Sequence, residues 1–283
     1  MLRALVAIWL IWGLNWVVMK TANNYFPPIL FVTWRFASGA LILLAVACWK
    51  KIPLPEAKFL PFIILTGILQ LNLNNIAAQV GMQSISAGMA AVLNYTAPLW
   101  TAILAHFTLN ERLTKIKCVG IFLAIIGLYV LMGLQGVEDL SAAFIIIAGA
   151  VCMGISNIIV KLKLSKCNMV QLTTWQMVFG AISLIIYSSL FPQGEITWGL
   201  PAVLCVIYNG ALASALAFFL WNYVLTHIEA STASIATLVA PVVGVLGGVF
   251  ILGEPFTLQI VLGMVLIFAG ILIVVKKKGA KKF

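Results

Sequence analysis

The chain has 283 residues, 63% of them hydrophobic and 8% charged, with a mean hydropathy of +1.14. A soluble domain cannot hide that much apolar surface in one core, so a water-soluble globule is excluded. The net charge of +10 would suit nucleic acid or acidic lipid if it formed one patch, but it is spread along the chain in a way that gives it another use.

Apolar runs of about 20 residues match a hydrocarbon core about 30 Å thick. Ten follow one another: 2–19, 29–48, 59–81, 86–107, 115–134, 141–160, 170–191, 200–224, 231–252 and 257–275. Lipid offers backbone groups no partner outside their own helix, so each run is expected as a helix. A barrel would need alternating apolar and polar segments of about ten residues, which these runs lack. The first run, with Arg3 at its start, is too long for a signal peptide and no small-x-small cleavage site comes before "KTANNYFPP", so it is kept as a membrane helix. The links are short and leave no sizeable soluble domain.

With ten crossings, both termini and alternate links share one face. That face carries Arg3, Lys50, Lys51, Lys58, Arg112, Lys115, Lys117, Lys161, Lys163 and Lys166, together with the tail residues Lys276, Lys277, Lys278, Lys281 and Lys282. The opposite face carries Lys20 against Glu138, Asp139, Glu195 and Glu254. Retention of positive residues in the cytoplasm explains this bias and predicts cytoplasmic N- and C-termini in a multi-pass protein of the cell membrane. The lysine tail is then a topology anchor, not a nucleic-acid site. Cys48, Cys118, Cys152, Cys167 and Cys205 are odd in number and lack CxxC spacing, so they are expected as buried small apolar side chains.

In chain order, the first run places Trp9, Trp12 and Trp16 on one stripe beside Asn15. An interfacial belt explains Trp16 but not the deeper two. The second run holds Arg35, the one charge well inside a span, about 10 Å from the run's outer end. Intramembrane charge is costly and usually functional, while snorkelling to the outer headgroups is the rival use; the sequence leaves both open. The third run reads "LQLNLNNIAAQVGMQ", with Asn72, Asn75 and Gln79 at helical spacing and Gln83 beyond them. Buried amides can glue helices together or wall a wet cavity. In the fourth run Pro98 cannot donate to the carbonyl of Asn94, and in the ninth Pro241 leaves that of Thr237 free, so both runs are expected to kink. The eighth run sets Trp221 and Tyr223 around Asn222. Gly120/Gly127 and Gly263/Gly270 lie a heptad apart on the fifth and tenth runs, and Gly244/Gly248 forms a GxxxG pair on the ninth. Such glycines bring helices close, within one chain or across a homodimer seam. His106 and His227, near the cytoplasmic ends of their runs, lack the partners of a proton relay.

The chain also repeats itself. Laid on 229–274, residues 86–131 match Ala87 to Ala230, Ala97-Pro98 to Ala240-Pro241, Glu111 to Glu254, Gly120 to Gly263 and Gly127 to Gly270. After a two-residue shift, Gly13 matches Gly154, Lys20 matches Lys161, Thr33-Trp34 match Thr174-Trp175, and Arg35 falls opposite Gln176. A duplicated unit of five helices, 1–137 and 138–283, enters the membrane in opposite senses because five is odd. The expected fold is an all-α membrane protein of ten transmembrane helices in two inverted repeats, with a substrate site near the midplane between them. Glu111 is then cytoplasmic and Glu254 external, although they are equivalent by sequence.

The stretches "IWGLNWVVMK", "VTWRFASGALILL", "SISAGMAAVLNYTAPLWTAILAHFTLNERLTKIKCVGIFLAIIG" and "IEASTASIATLVAPVVGVLGGVFILGEPFTLQIVLGMVLIFAG" carry a resemblance to the drug/metabolite transporter superfamily, EamA type, over essentially the whole length. The resemblance implies two five-helix repeats around a central cavity and export or uptake of small metabolites, with family analogy favouring export. It also implies an arginine where Arg35 stands. No GxxxxGK[ST] loop, HExxH, GxSxG or metal-ligand spacing occurs, which speaks against an ATP-driven pump, an enzyme or a cofactor. No acidic residue falls inside a run, which favours neutral or zwitterionic substrates over lipophilic cations. The expectation is an alternating-access transporter of a small organic metabolite such as an amino acid, with a multidrug exporter as the nearest alternative and a channel or intramembrane enzyme as more distant ones. Its partners are that substrate and the bilayer, not nucleic acid. The substrate contacts are expected at Trp12, Arg35, Asn72, Asn75, Gln79, Asn94, Trp175, Gln176, Trp221 and Asn222, with Pro98 and Pro241 as the kinks.

Overall fold

A computed structural model describes residues 1–81, 83–84, 90, 93–109, 111, 114–131, 139–191, 194–244, 246 and 257–276. Glu254, Glu138, Arg112, Gly248 and the tail lysines beyond Lys276 lie outside them, as does the side chain of Trp16. The described residues are helical and contain no strand. The segments are α1 (Leu2–Ala22), α2 (Pro28–Trp49), α3 (Ala57–Gly81), α4 (Ala97–Thr108), α5 (Lys115–Leu131), α6 (Leu140–Leu164), α7 (Met169–Leu190), α8 (Leu200–His227), α9 (Ala230–Gly244) and α10 (Leu258–Lys276). Six of these, α1, α2, α3, α6, α7 and α8, are long and apolar enough to cross a membrane, and the other four fall short of that mark over the described residues.

The boundaries follow local chemistry. Proline occupies the first turn of α2, α4 and α8, where its missing N–H leaves no intrahelical bond unmade. Asp139 caps α6, its Oδ1 accepting from Ser141 Oγ at 2.6 Å, Ser141 N at 2.8 Å and Ala142 N at 3.3 Å. Those bonds, the Ser141 hydroxyl first, hold its carboxyl below the usual range. Asn168 caps α7 in the same way through Val170 N and Gln171 N.

Large apolar side chains such as Leu41, Phe107, Phe122 and Phe144 are exposed on the outer surface. In water this would be an aggregation surface, whereas in lipid it is the solvated face. The interior is built across the two halves of the chain: α2 packs on α7, α5 on α10, α4 on α9, α3 on α6 and α7, and α8 on α1 and α2.

Glycines set the closest approaches. A Cβ at Gly13 would lie 2.6 Å from the Ala240 carbonyl oxygen, and one at Gly154 would lie 3.1 Å from Trp100 Cβ. A Cβ at Gly127 would lie 2.8 Å from the Gly263 carbonyl oxygen, while Gly270 abuts Gly120. The Gly120/Gly127 and Gly263/Gly270 stripes therefore face each other inside one chain, where they cannot also form a homodimer seam. Since a Cβ at Gly13 would overlap backbone at 2.6 Å while one at Gly154 would meet its nearest atoms at 3.1–3.3 Å, Gly13→Ala is expected to cost about 1 kcal/mol or more of stability and Gly154→Ala less. Thermal melts in detergent would check the order.

Two further expectations change. Cys48 and Cys118 are exposed, not buried, and all five cysteines are free. Pro98 does not bend a continuous helix: Tyr95 and Thr96 form a turn and the proline opens α4. In α9, a 3₁₀ turn at Thr237–Val239 precedes Pro241. The distortion thus falls just before each proline, where the chain has already let go of the carbonyl that the proline cannot serve.

Candidate substrate cavity

A cavity of about 90 Å³ lies among α1, α2, α3, α4, α6, α8 and α9. Its wall is aromatic at Trp12, Phe218 and Trp221, and amide-rich at Asn15, Asn74, Asn75, Asn94 and Asn157. It adds the hydroxyls of Ser234 and Thr237, the thioethers of Met19 and Met153, and one cation, Arg35. Apolar walls with a few convergent polar groups are what a small-molecule site needs, because area supplies affinity and polar groups supply orientation.

Arg35 is 3% exposed, so it does not snorkel to a headgroup. Its Nε donates to Ser214 Oγ at 2.9 Å and its Nη1 to Asn75 Oδ1 at 3.3 Å, with Met19 Sδ 3.9 Å from Nη1 and the Phe36 ring centroid 5.0 Å away. The Ser214 contact arises because α8 runs as a π-helix over Tyr208–Leu216 beside α2. Trp12 meets Phe218 at 5.4 Å and Trp221 at 6.0 Å between ring centroids, and its Nε1 donates to the Ala213 carbonyl at 3.1 Å. Fully buried Trp221 donates to Asn157 Oδ1 at 3.2 Å, and Asn157 donates to Thr101 Oγ1 at 3.2 Å. Asn74 donates to Asn94 Oδ1 at 2.7 Å. The Asn15 Oδ1 and Ser234 Oγ atoms, of two residues on the cavity wall, are buried without a hydrogen-bond partner among the described residues.

Of the expected contacts, Trp12, Arg35, Asn75, Asn94 and Trp221 come together here, with Pro98 also on the wall. Asn72, Gln79, Trp175, Gln176 and Asn222 do not line it. Asn222 donates to Gln176 Oε1 at 2.7 Å and Thr173 Oγ1 at 3.0 Å, and Gln176 donates to Thr66 Oγ1 at 2.8 Å, so this chain of amides ties α8, α7 and α3 together. Asn72 is bonded to Ser183 of α7, Gln79 is buried, and Trp175 packs on Phe179. The single stripe expected of Asn72, Asn75 and Gln79 fails because Ile68–Leu73 is a π-helix. Its i→i+5 bonding changes the angular step between residues and separates Asn72 from Asn74 and Asn75. Asn74, Asn157, Ser234 and Thr237 were not among the expected contacts; Asn74, Asn157 and Ser234 have other polar residues beside or near them in the chain, and spacing alone does not say which of these faces the cavity.

Polar contacts tie the halves together at one end of the bundle. Glu111 accepts from Ala230 N at 2.8 Å, Ser231 N at 3.2 Å and Ser231 Oγ at 2.6 Å, and so caps α9. Lys117 pairs with Glu229 at 3.1 Å. At the same end, within the second half, Lys161 donates to the Leu225 carbonyl at 3.0 Å and also to that of Ile228, at the last turn of α8. At the opposite end, Thr197 N donates to the Tyr25 carbonyl at 2.9 Å and Trp198 stacks edge-on with Phe26 and Trp34.

An all-helical chain with a lipid-type surface and a polar cavity between its halves is a multi-pass membrane protein. It belongs to the EamA-like transporter family, whose model matches residues 2–133 and again 140–276. It is 32% identical over 276 residues to the uncharacterized transporter YoaV of Bacillus subtilis (strain 168), covering 94% of each chain. It is 28% identical over 275 residues to a probable amino-acid metabolite efflux pump of Salmonella typhimurium, covering 93% of this chain and 90% of that one. A crystal structure 18% identical in sequence superposes with a TM-score of 0.83 over 98% of this chain and 97% of that chain, a likeness of fold. The protein is thus a membrane transporter with a small-molecule substrate.

Proposed function

We propose that the protein is an alternating-access secondary transporter that exports a small organic metabolite, an amino acid or related compound, across the cell membrane. The observation that carries this reading is the cavity, walled by both halves of the chain around a buried arginine, amides and tryptophans. The name of the Salmonella relative supports both the substrate class and the outward direction.

In this reading residues 1–137 and 138–283 are inverted repeats of five membrane helices each, with both termini cytoplasmic. The reciprocal glycine contacts support it, since Gly127 on Gly263 and Gly270 on Gly120 exchange under one twofold axis. So do the paired π-helices at Ile68–Leu73 and Tyr208–Leu216, which fall at matching places in α3 and α8. The end tied by Glu111 and Lys117 is then cytoplasmic, and moving substrate requires those ties to break while others form at the far end.

Two measurements test this. In proteoliposomes, a carrier shows saturable counterflow of a labelled amino acid against unlabelled amino acid inside, whereas a channel shows none. In a cysteine-free background, a cysteine beside Glu111 should react with a membrane-impermeant thiol reagent only from inside and one beside Glu254 only from outside. Labelling of both from one face would rule out the inverted repeat.

A further inference from the structure

Among the described residues, the cavity has one cation and no anion beside it. Arg35 is 97% buried, and its described partners, Ser214, Asn75, Met19 and the Phe36 ring, are all neutral. A guanidinium has five N–H donors; among the described residues only Nε and Nη1 find acceptors. The chain cannot supply the counter-charge nearby, because all seven Asp and Glu residues fall in links between the apolar runs and none within one. A charge held this deep is costly unless something offsets it. Packing would serve as well with the amide that stands at the equivalent position in the second half, Gln176, which is satisfied by Thr66 and Asn222.

We propose that Arg35 is the carboxylate-binding residue of the transport site, and that the substrate is a small carboxylate whose apolar portion lies against Trp12, Phe218 and Trp221. This rests on the transport reading above and narrows its substrate class. A planar guanidinium matches a carboxylate with two parallel N–H···O bonds. The carboxylate neutralises the buried cation, so the loaded cavity is uncharged at this point and the empty one is not. A second anchor lies close by. Arg35 Nη1 is 3.9 Å and Asn15 Nδ2 3.1 Å from the same Met19 Sδ, which caps their separation at 7.0 Å. The Asn15 Oδ1 acceptor has no partner among the described residues and Asn15 lines the cavity, and this acceptor suits the ammonium group of an α-amino acid. The family of suitable solutes is therefore carboxylates with an apolar or aromatic tail, with zwitterionic amino acids making both contacts.

The test uses the full-length purified chain in proteoliposomes, probed with the twenty common L-amino acids, their carboxamides, and 3-phenylpropionate beside 2-phenylethylamine. Wild-type protein is expected to exchange a subset of the acids, with each matching carboxamide weaker by about 10- to 100-fold, the range expected when a hydrogen-bonded charge partner is lost. Arg35→Gln should erase the preference between acid and amide, and Arg35→Lys should restore part of it. The comparison of acid with amide needs no variant, so it stands even if Arg35→Gln does not fold. Carboxamides exchanged as well as acids by wild type, or an acid preference undiminished in folded Arg35→Gln, overturns the assignment. If a cell extract yields exchanged solutes that all lack a carboxylate, the assignment fails while the transport reading stands. If no solute in the extract exchanges, the transport reading fails and takes the assignment with it.

Discussion

Trp221→Ala is expected to lower stability by about 3 kcal/mol and to remove most of the affinity for substrate. The side chain is fully buried in the last third of α8, lines the cavity, touches Trp12 and donates to Asn157. Truncating a buried tryptophan in a soluble core typically costs about 3–5 kcal/mol, part of it lost transfer from water. Here the chain unfolded within the bilayer keeps its indole in lipid, so the transfer part shrinks and the low end of that range applies. What remains is the empty volume and an Asn157 Oδ1 left without its donor. Trp221→Phe keeps most of the volume and should cost about 1 kcal/mol, the net worth of one hydrogen bond. Thermal melts in detergent together with counterflow in proteoliposomes check both variants. A Trp221→Ala protein that melts and transports like wild type would show that the cavity wall is not where substrate binds.

Six of the elements were legible because membrane helices announce themselves by length: a run of apolar residues long enough to cross hydrocarbon has no other low-energy structure. Arg35 was legible for the same reason, since a lone charge inside such a run needs an explanation, although only coordinates decide that it turns inward. Neighbouring amides were harder. Asn72 and Asn75 lie three residues apart and look like one face, but a π-helix between Ile68 and Leu73 turns them toward different neighbours. Asn222 donates to Gln176 Oε1 across α8 and α7, a pairing that neither run's periodicity encodes. The prolines marked the right places for irregular backbone, yet the irregularity falls in the residues before them. Glu111 was flagged by its echo at Glu254, but its partner, the first turn of α9, lies 119 residues further on.

Glu111→Ala is expected to lower stability by about 2 kcal/mol and to loosen the end of the bundle that the proposed topology makes cytoplasmic. Its carboxylate takes two backbone N–H groups from the first turn of α9 and the Ser231 hydroxyl. An anion at a helix N-terminus is favoured by the unpaired N–H groups and by the helix dipole together. The bonds also cross from the first half of the chain to the second, and Lys117 reinforces the same joint through Glu229 and Ser231. In the proposed alternating-access cycle these bonds exist in one conformation only, so their loss shifts the population by the same free energy: about 2 kcal/mol is close to a 30-fold change in the ratio of closed to open. The reporter is a cysteine at Ser234, on the cavity wall, in a cysteine-free background. Its reaction with an impermeant thiol reagent applied from the cytoplasmic side should be roughly 30-fold faster once Glu111 is alanine. Glu111→Gln should fall between, because its amide offers one acceptor oxygen where the carboxylate offers two and sets an N–H₂ against the second backbone donor. A lower melting temperature with unchanged reactivity at Ser234 and unchanged counterflow would mean that Glu111 only caps α9. Faster labelling with slower net export would mean that the same bonds close the transporter, since a carrier that cannot hold one end shut loses the step that gives its cycle direction.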